Sequence, residues 1–136
     1  LYVGFLTGRV VEYDAGATSP SRTIVLTAVE GMDVDSNDNL YVATTQDSPS
    51  PESYGVFEFA NHALTGRALG MHVGIAGGLR IDKTGAVVLG DQVAGTISIF
   101  PPGHIVPTKI ICALKPNNFA LDKSNAFLYV AGALGA

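Results

Sequence analysis

Tryptophan is absent from this 136-residue chain, cysteine occurs once, and charged residues make up only 15% of it. The lone Cys112 excludes an internal disulfide and any cysteine metal cluster. It reads as a small hydrophobe within the run Ile110–Leu114. Eight Lys and Arg against twelve Asp and Glu leave a net charge of −4. That balance lacks the basic face a phosphate backbone requires, so no nucleic-acid partner is expected. No run approaches the roughly 18 consecutive apolar residues of a membrane helix, so no membrane span is expected. No apolar leader follows a basic front, and the chain starts at Leu1, not Met, as expected of a processed or excised piece. Helical periodicity is missing throughout. So are the usual carriers of chemistry: there is no Gly-x-Ser-x-Gly elbow for a serine nucleophile, and the glycines of Gly74–Gly78 precede no helix, unlike those of a phosphate-binding loop. No catalytic residue and no cofactor is expected.

What the chain does have is apolar residues in short runs, 47% overall, with 16 Gly and 7 Pro between them. This is the composition of a globular all-β domain with many turns, and its length suffices for one sizeable core. The stretch Gly31–Ala43 sets the pattern. Met32 and Val34 alternate with Asp33 and Asp35, a period of two that predicts a strand with one buried face. Asp35–Asn39 is turn chemistry, because short polar side chains bond their own backbone and tolerate left-handed conformations. Leu40-Tyr-Val42 then returns as a second strand.

The stretch recurs as Gly78–Gly90 and as Asn118–Gly132, with Asp82 and Asp122 in the place of Asp35, at separations of 47 and 40 positions. Between copies come a third strand (Arg9–Tyr13, Tyr54–Phe59, Gly95–Phe100) and a fourth (Arg22–Leu26, a weaker Gly66–Leu69, Lys109–Ile111). A unit is therefore four short antiparallel strands in about 40–47 residues, the period of a β-propeller blade. A sandwich is the rival all-β architecture, but it does not explain three copies of one strand–turn–strand. The expected fold is a β-propeller fragment of about three four-stranded antiparallel blades, half of a six- or seven-bladed ring. Its units fall at 1–29, 30–73, 74–115 and 116–136, the first and last incomplete. Such a half ring would expose a strand edge and apolar faces, so self-association to complete the ring is expected.

At these residues the chain resembles the NHL and YVTN-type bacterial propellers, whose blades read roughly G-L-A-V-D-x-x-G-N-L-Y-V-A, then V-x-V-Y, then G-x-x-x-P-x-R-T-I. The matching segments are Gly31–Ala43, Val10–Tyr13 and Gly16–Ile24, with Gly103–Ile111 as a looser copy. The resemblance implies an exported protein, extracellular or periplasmic. It implies no single function, because such propellers include lyases, lactonases and binding modules. Pro116–Gly132 is also similar to a segment of the gluconolactonase-like six-bladed propellers, in which an Asn and a final Asp bind a metal. Asn117 takes the Asn position, Gly132 stands where the Asp belongs, and Gly77 and Gly78 stand where another Asn belongs. One amide does not rebuild a hard-cation site. Asn117 is thus the sole metal candidate, and no metal is expected.

Asp33-x-Asp35-x-Asn37-x-Asn39 looks like the start of a calcium loop, but Asp38 replaces the glycine and Thr44 the terminal Glu. A hairpin turn accounts for the same residues. Asp33 and Arg80 occupy equivalent inner-strand positions, and an ion pair between them is one expectation; two ordinary polar positions are the other. His62 and His104 fall in outer turns and are expected to be solvated. Loops that lead into the first strand and leave the second share one face of a blade. This groups Glu30, His72 and Asn117 with Gln46, Asp47, Asp91 and Gln92 as a ligand-binding set, though loop residues are polar for solvation alone. The Gln46–Ser53 insertion is the expected variable contact surface. The function expected is non-catalytic: a binding or scaffolding module that engages a protein or small-molecule ligand through this loop face. A lactonase-like hydrolase or lyase with the rest of its site elsewhere, and a structural protein that assembles through its edges, are the alternatives.

Overall fold

The computed structural model describes residues 1–44 and 55–132, and among these there are thirteen strands and no helix. The strands form four antiparallel sheets, each a simple meander. Sheet I is β1 (Tyr2–Phe5), β2 (Arg9–Glu12) and β3 (Arg22–Val25). Sheet II is β4 (Gly31–Val34), β5 (Leu40–Thr44), β6 (Gly55–Phe59) and β7 (Arg67–Ala68). Sheet III is β8 (Ala76–Ile81), β9 (Val87–Asp91), β10 (Thr96–Phe100) and β11 (Lys109–Cys112). Sheet IV pairs β12 (Pro116–Leu121) with β13 (Leu128–Gly132). The all-β expectation holds, and strand limits fall within a few residues of those read from the sequence. Gln46–Ser53 lies outside the described residues.

Sheets II and III are packed on both faces because the second strand of each is apolar on both. In β5, Leu40 and Val42 join Val10, Ile24 and Phe59 in the core between sheets I and II. The alternate residues Tyr41 and Ala43 turn the other way, into the core with Leu79, Val87 and Leu89 of sheet III. β9 repeats the device, sending Val88 to meet Ile97 and Phe119 at sheet IV. Side chains that alternate across a strand thus couple neighbouring sheets in chain order.

The three hairpin turns share one chemistry. Asp35 Oδ1 accepts the N–H groups of Asn37 (2.8 Å) and Asn39 (2.9 Å). Asp82 Oδ1 accepts those of Thr84 (2.7 Å) and Ala86 (3.0 Å). Asp122 accepts Ser124 N–H at 3.1 Å and Phe127 N–H at 2.8 Å. Burial pushes the Asp35 and Asp82 carboxyls up, but the donated bonds outweigh it and hold both below the ordinary carboxylate range. The Ser124 hydroxyl and the Phe127 N–H do the same for exposed Asp122. These carboxyls ionise at lower pH when folded, so the unfolded chain binds more protons as pH falls. Their stabilisation is complete above the unfolded value near ~4 and is lost as pH drops through the folded values. Acid unfolding should therefore steepen below about pH 4, and Asp82→Asn should flatten the profile in a urea series across pH.

The structure departs from the sequence reading at the leading ends of the inner strands. β8 begins at Ala76 and β12 at Pro116, ahead of Gly78 and Asn118 where the recurring stretch starts, because each carries a register shift, between Ala76 and Leu79 and between Pro116 and Asn118. A bulge breaks the period of two, so these residues read as loop. Here the sheets approach backbone to backbone. A Cβ on Gly77 would lie 1.7 Å from the Pro116 carbonyl oxygen, and one on Gly31 would lie 2.7 Å from the Leu79 nitrogen. Glycine is required at both places for the inner strands β4, β8 and β12 to adjoin.

Candidate ligand site at the head of the inner strands

Because those strands adjoin, the residues at their leading ends face a common cavity of about 240 Å³. Glu30, Arg80, Asn117 and Asn118 supply its polar lining, with Met32 among the apolar residues. Arg80 is held in place. Nη1 donates to the Leu79 carbonyl at 2.6 Å, Nη2 donates to Asn118 Oδ1 at 3.2 Å, and the guanidinium carbon stands 5.9 Å from the Phe119 ring centroid. Asn118 Oδ1 also accepts the Phe119 N–H at 2.8 Å. Two of the guanidinium nitrogens thus fix a planar cation of five N–H donors at the cavity wall.

Asp33 does not pair with Arg80. Its Oδ2 accepts the Ile81 N–H at 2.8 Å and its Oδ1 the Val34 N–H at 3.0 Å. Asp33 therefore ties sheet II to the backbone of sheet III, and Arg80 passes the link on to sheet IV through Asn118. The expected ion pair gives way to two cross-sheet hydrogen bonds because each side chain reaches the next sheet before it reaches the other.

Of the expected ligand-binding set, Glu30 and Asn117 meet in the cavity. Gln92 stands beside them, its Nε2 donating to Asn117 Oδ1 at 3.3 Å and lying 3.4 Å from the Ala76 carbonyl. Asp91 is occupied by the backbone: Oδ2 accepts Gly74 N–H at 3.0 Å, and Oδ1 accepts Val93 and Ala94 N–H at 2.8 and 3.0 Å. It closes the turn after β9. His72 is exposed and does not line the cavity; it alternates with buried Met71 and Val73, so the strand-like period turns it outward. Gln46 and Asp47 lie outside the described residues. Among the described residues no group of three or more His, Cys, Asp or Glu converges on one point, and the Asn117 oxygen is engaged by Gln92. Cys112 is exposed.

One polar cluster was not anticipated. Glu12, on β2, is buried, with Arg22 Nε 2.6 Å from its Oε2 and the Tyr2 hydroxyl donating to Oε1 at 3.2 Å. His62 Nδ1 from the β6–β7 turn lies 3.1 Å from Oε1, and Arg22 Nη1 donates to the Ala63 carbonyl in the same turn. Burial, then the Glu12 charge, pushes the Tyr2 phenol up. The cluster joins sheet I to sheet II at the periphery. A signal existed: Tyr2, Glu12 and Arg22 are mutual cross-strand partners, as are Tyr41, Glu58 and Arg67. Matching the two units residue by residue reveals the repeated Tyr–Glu–Arg row. Tyr41, half-buried and beside Glu58 and Asp35, is pushed up to about 12, first by its partial burial and then by those charges.

These features define an all-β protein of stacked antiparallel sheets with a polar cavity where four sheets meet. The chain matches no protein-family model, and no curated protein matches it.

Proposed function

We propose that the chain is part of a β-propeller of the NHL or YVTN kind and serves as a non-catalytic binding module. Its ligand enters at the leading ends of the inner strands. The observation that carries this reading is the convergence of Glu30, Arg80, Asn117 and Asn118 on one cavity. Four-stranded meanders joined side by side, with β4, β8 and β12 adjoining, are what a propeller requires around its axis. The pre-positioned guanidinium selects a ligand with an anionic or carbonyl oxygen, since Arg presents a rigid fork of donors to such groups. A cavity of about 240 Å³ suits a small molecule or one side chain of a partner, not an extended peptide.

The test is ligand-observed NMR with a panel of small carboxylates. At least one should bind wild-type protein, and Arg80→Ala should weaken that binding by about tenfold or more, the loss of a charge-assisted bond. Absence of any binder, or an Arg80→Ala protein that binds equally well, contradicts the reading.

A further inference from the structure

The Tyr–Glu–Arg row occurs twice, but the two copies are finished differently. In both sheet II and sheet III the third and fourth strands are joined by a turn closed by an N–H bond to the carbonyl three residues earlier: Ala63 to Ala60 at 2.8 Å, His104 to Pro101 at 3.0 Å. Superposed on these bonds, His62 corresponds to Gly103. Sheet I repeats the turn with Ala17 bonded to Asp14 at 3.0 Å, and Gly16 in the same place. All three residues have left-handed backbones, φ 77° at Gly16, 59° at His62 and 75° at Gly103. Glycine takes this conformation without cost, whereas histidine does so uncommonly. His62 accepts the strain where its imidazole reaches Glu12 of the preceding sheet.

One unit further on, no imidazole stands at that turn position; His104, the next residue along, lines the junction with its Nδ1 3.0 Å from the Pro102 carbonyl. Glu58 receives Arg67 and, at 3.4 Å, the Tyr41 hydroxyl. The position that His62 fills at the first junction is occupied by Gly103 at the second. Between Glu58 and that turn lies a cleft of about 280 Å³, with Glu58, Arg67 and His104 in its polar lining and Leu69, Met71 and Ile105 in its apolar lining. The Arg side chains record the difference. Arg22 is sealed in at 9% exposure, while Arg67 stands 74% exposed.

We infer that this cleft between sheets II and III is a second binding site, separate from the inner-strand cavity, and that it takes a small nitrogen cation of the imidazolium type. The ligand donates an N–H to Glu58 from the place His62 occupies against Glu12, and its ring lies on Leu69, Met71 and Ile105. The molecule supplies its own template, because at the first junction an imidazole, 69% exposed, stands against Glu12 from the same turn position. The volume suits one heterocycle or one side chain, and a ligand of a few heavy atoms reaches an affinity on the order of millimolar.

The test is an NMR titration of the full chain with imidazole, read at the amides of Gly85 and Gly103, which line the cleft. Both should shift saturably. Glu58→Gln should weaken binding at least about tenfold, as loss of an ionic acceptor does. Gly103→His should abolish it by placing the imidazole in the chain, and φ at Gly103 already matches that of His62. His62→Gly should open a second, equivalent site, read at Asn61 and Ala63. A blocked histidine peptide run in parallel separates the sources: tighter binding than imidazole assigns the site to a partner's side chain, weaker binding to a free base. Unmoved Gly85 and Gly103 amides overturn the inference, and so does a Gly103→His protein that binds imidazole as wild type does.

Discussion

Gly77→Ala is expected to destabilise the protein by about 3 kcal/mol or more, the upper range for a buried steric insertion. The added methyl would sit 1.7 Å from the Pro116 carbonyl oxygen. No rotamer relieves such a clash, because both partners are backbone. Either β8 or β12 must move, and with it the packing of Val88, Ile97 and Phe119 between sheets III and IV. Gly16→Ala is the control. Nothing lies within 4 Å of its Cβ, although its φ of 77° is left-handed, so only the conformational cost of about 1 kcal/mol applies. Urea melts of the two variants separate a required close approach from a required backbone angle. Equal, small losses would mean that the sheets do not meet at Gly77.

Glu12→Ala is expected to cost about 3–5 kcal/mol, the penalty for leaving one member of a buried ion pair without its partner. Arg22 and Glu12 are both only 9% exposed, so solvent does little to screen the stranded guanidinium. Tyr2 and His62 lose their acceptor in the same substitution. The equivalent Glu58→Ala should cost less than about 1 kcal/mol from its ion pair, because Arg67 is largely exposed. Thermal unfolding of the two variants side by side checks the contrast. Comparable losses would contradict the distinction between a sealed and an open junction.

The hairpins were legible because their signals are local. An aspartate that caps a turn and a return strand of alternating apolar residues are both visible within a dozen positions. Glu30 and Asn117 could be grouped for the same reason, since equivalent residues of a repeat occupy equivalent places. The bulges in β8 and β12 were hidden because a register shift erases the period on which a strand is recognised, and Ala76-Gly77-Gly78 and Pro116-Asn117-Asn118 read as loop. His72 lies in a loop, as read, but stands outside the cavity because buried Met71 and Val73 on either side turn it to solvent. Asp33 and Arg80 share a register position, but register says nothing of reach, and each side chain finds a nearer partner. The Tyr2–Glu12–Arg22 row was within reach of the sequence, but only once pairing had aligned three strands. That Glu12 is buried and Glu58 half-open depends on one residue of the next sheet's turn, which pattern alone does not rank above its neighbours.

Like sheets stack so that their inner strands touch through glycine, and this gathers Arg80, Asn117 and Asn118 at one cavity. Nuclear Overhauser contacts on the labelled full chain test this most directly. Cross-peaks are predicted between Gly31 and Leu79 and between Gly77 and Pro116, with the Ile81 amide protected from exchange by its bond to Asp33. Hairpin contacts within each sheet without these cross-sheet peaks, and a freely exchanging Ile81 amide, would contradict it.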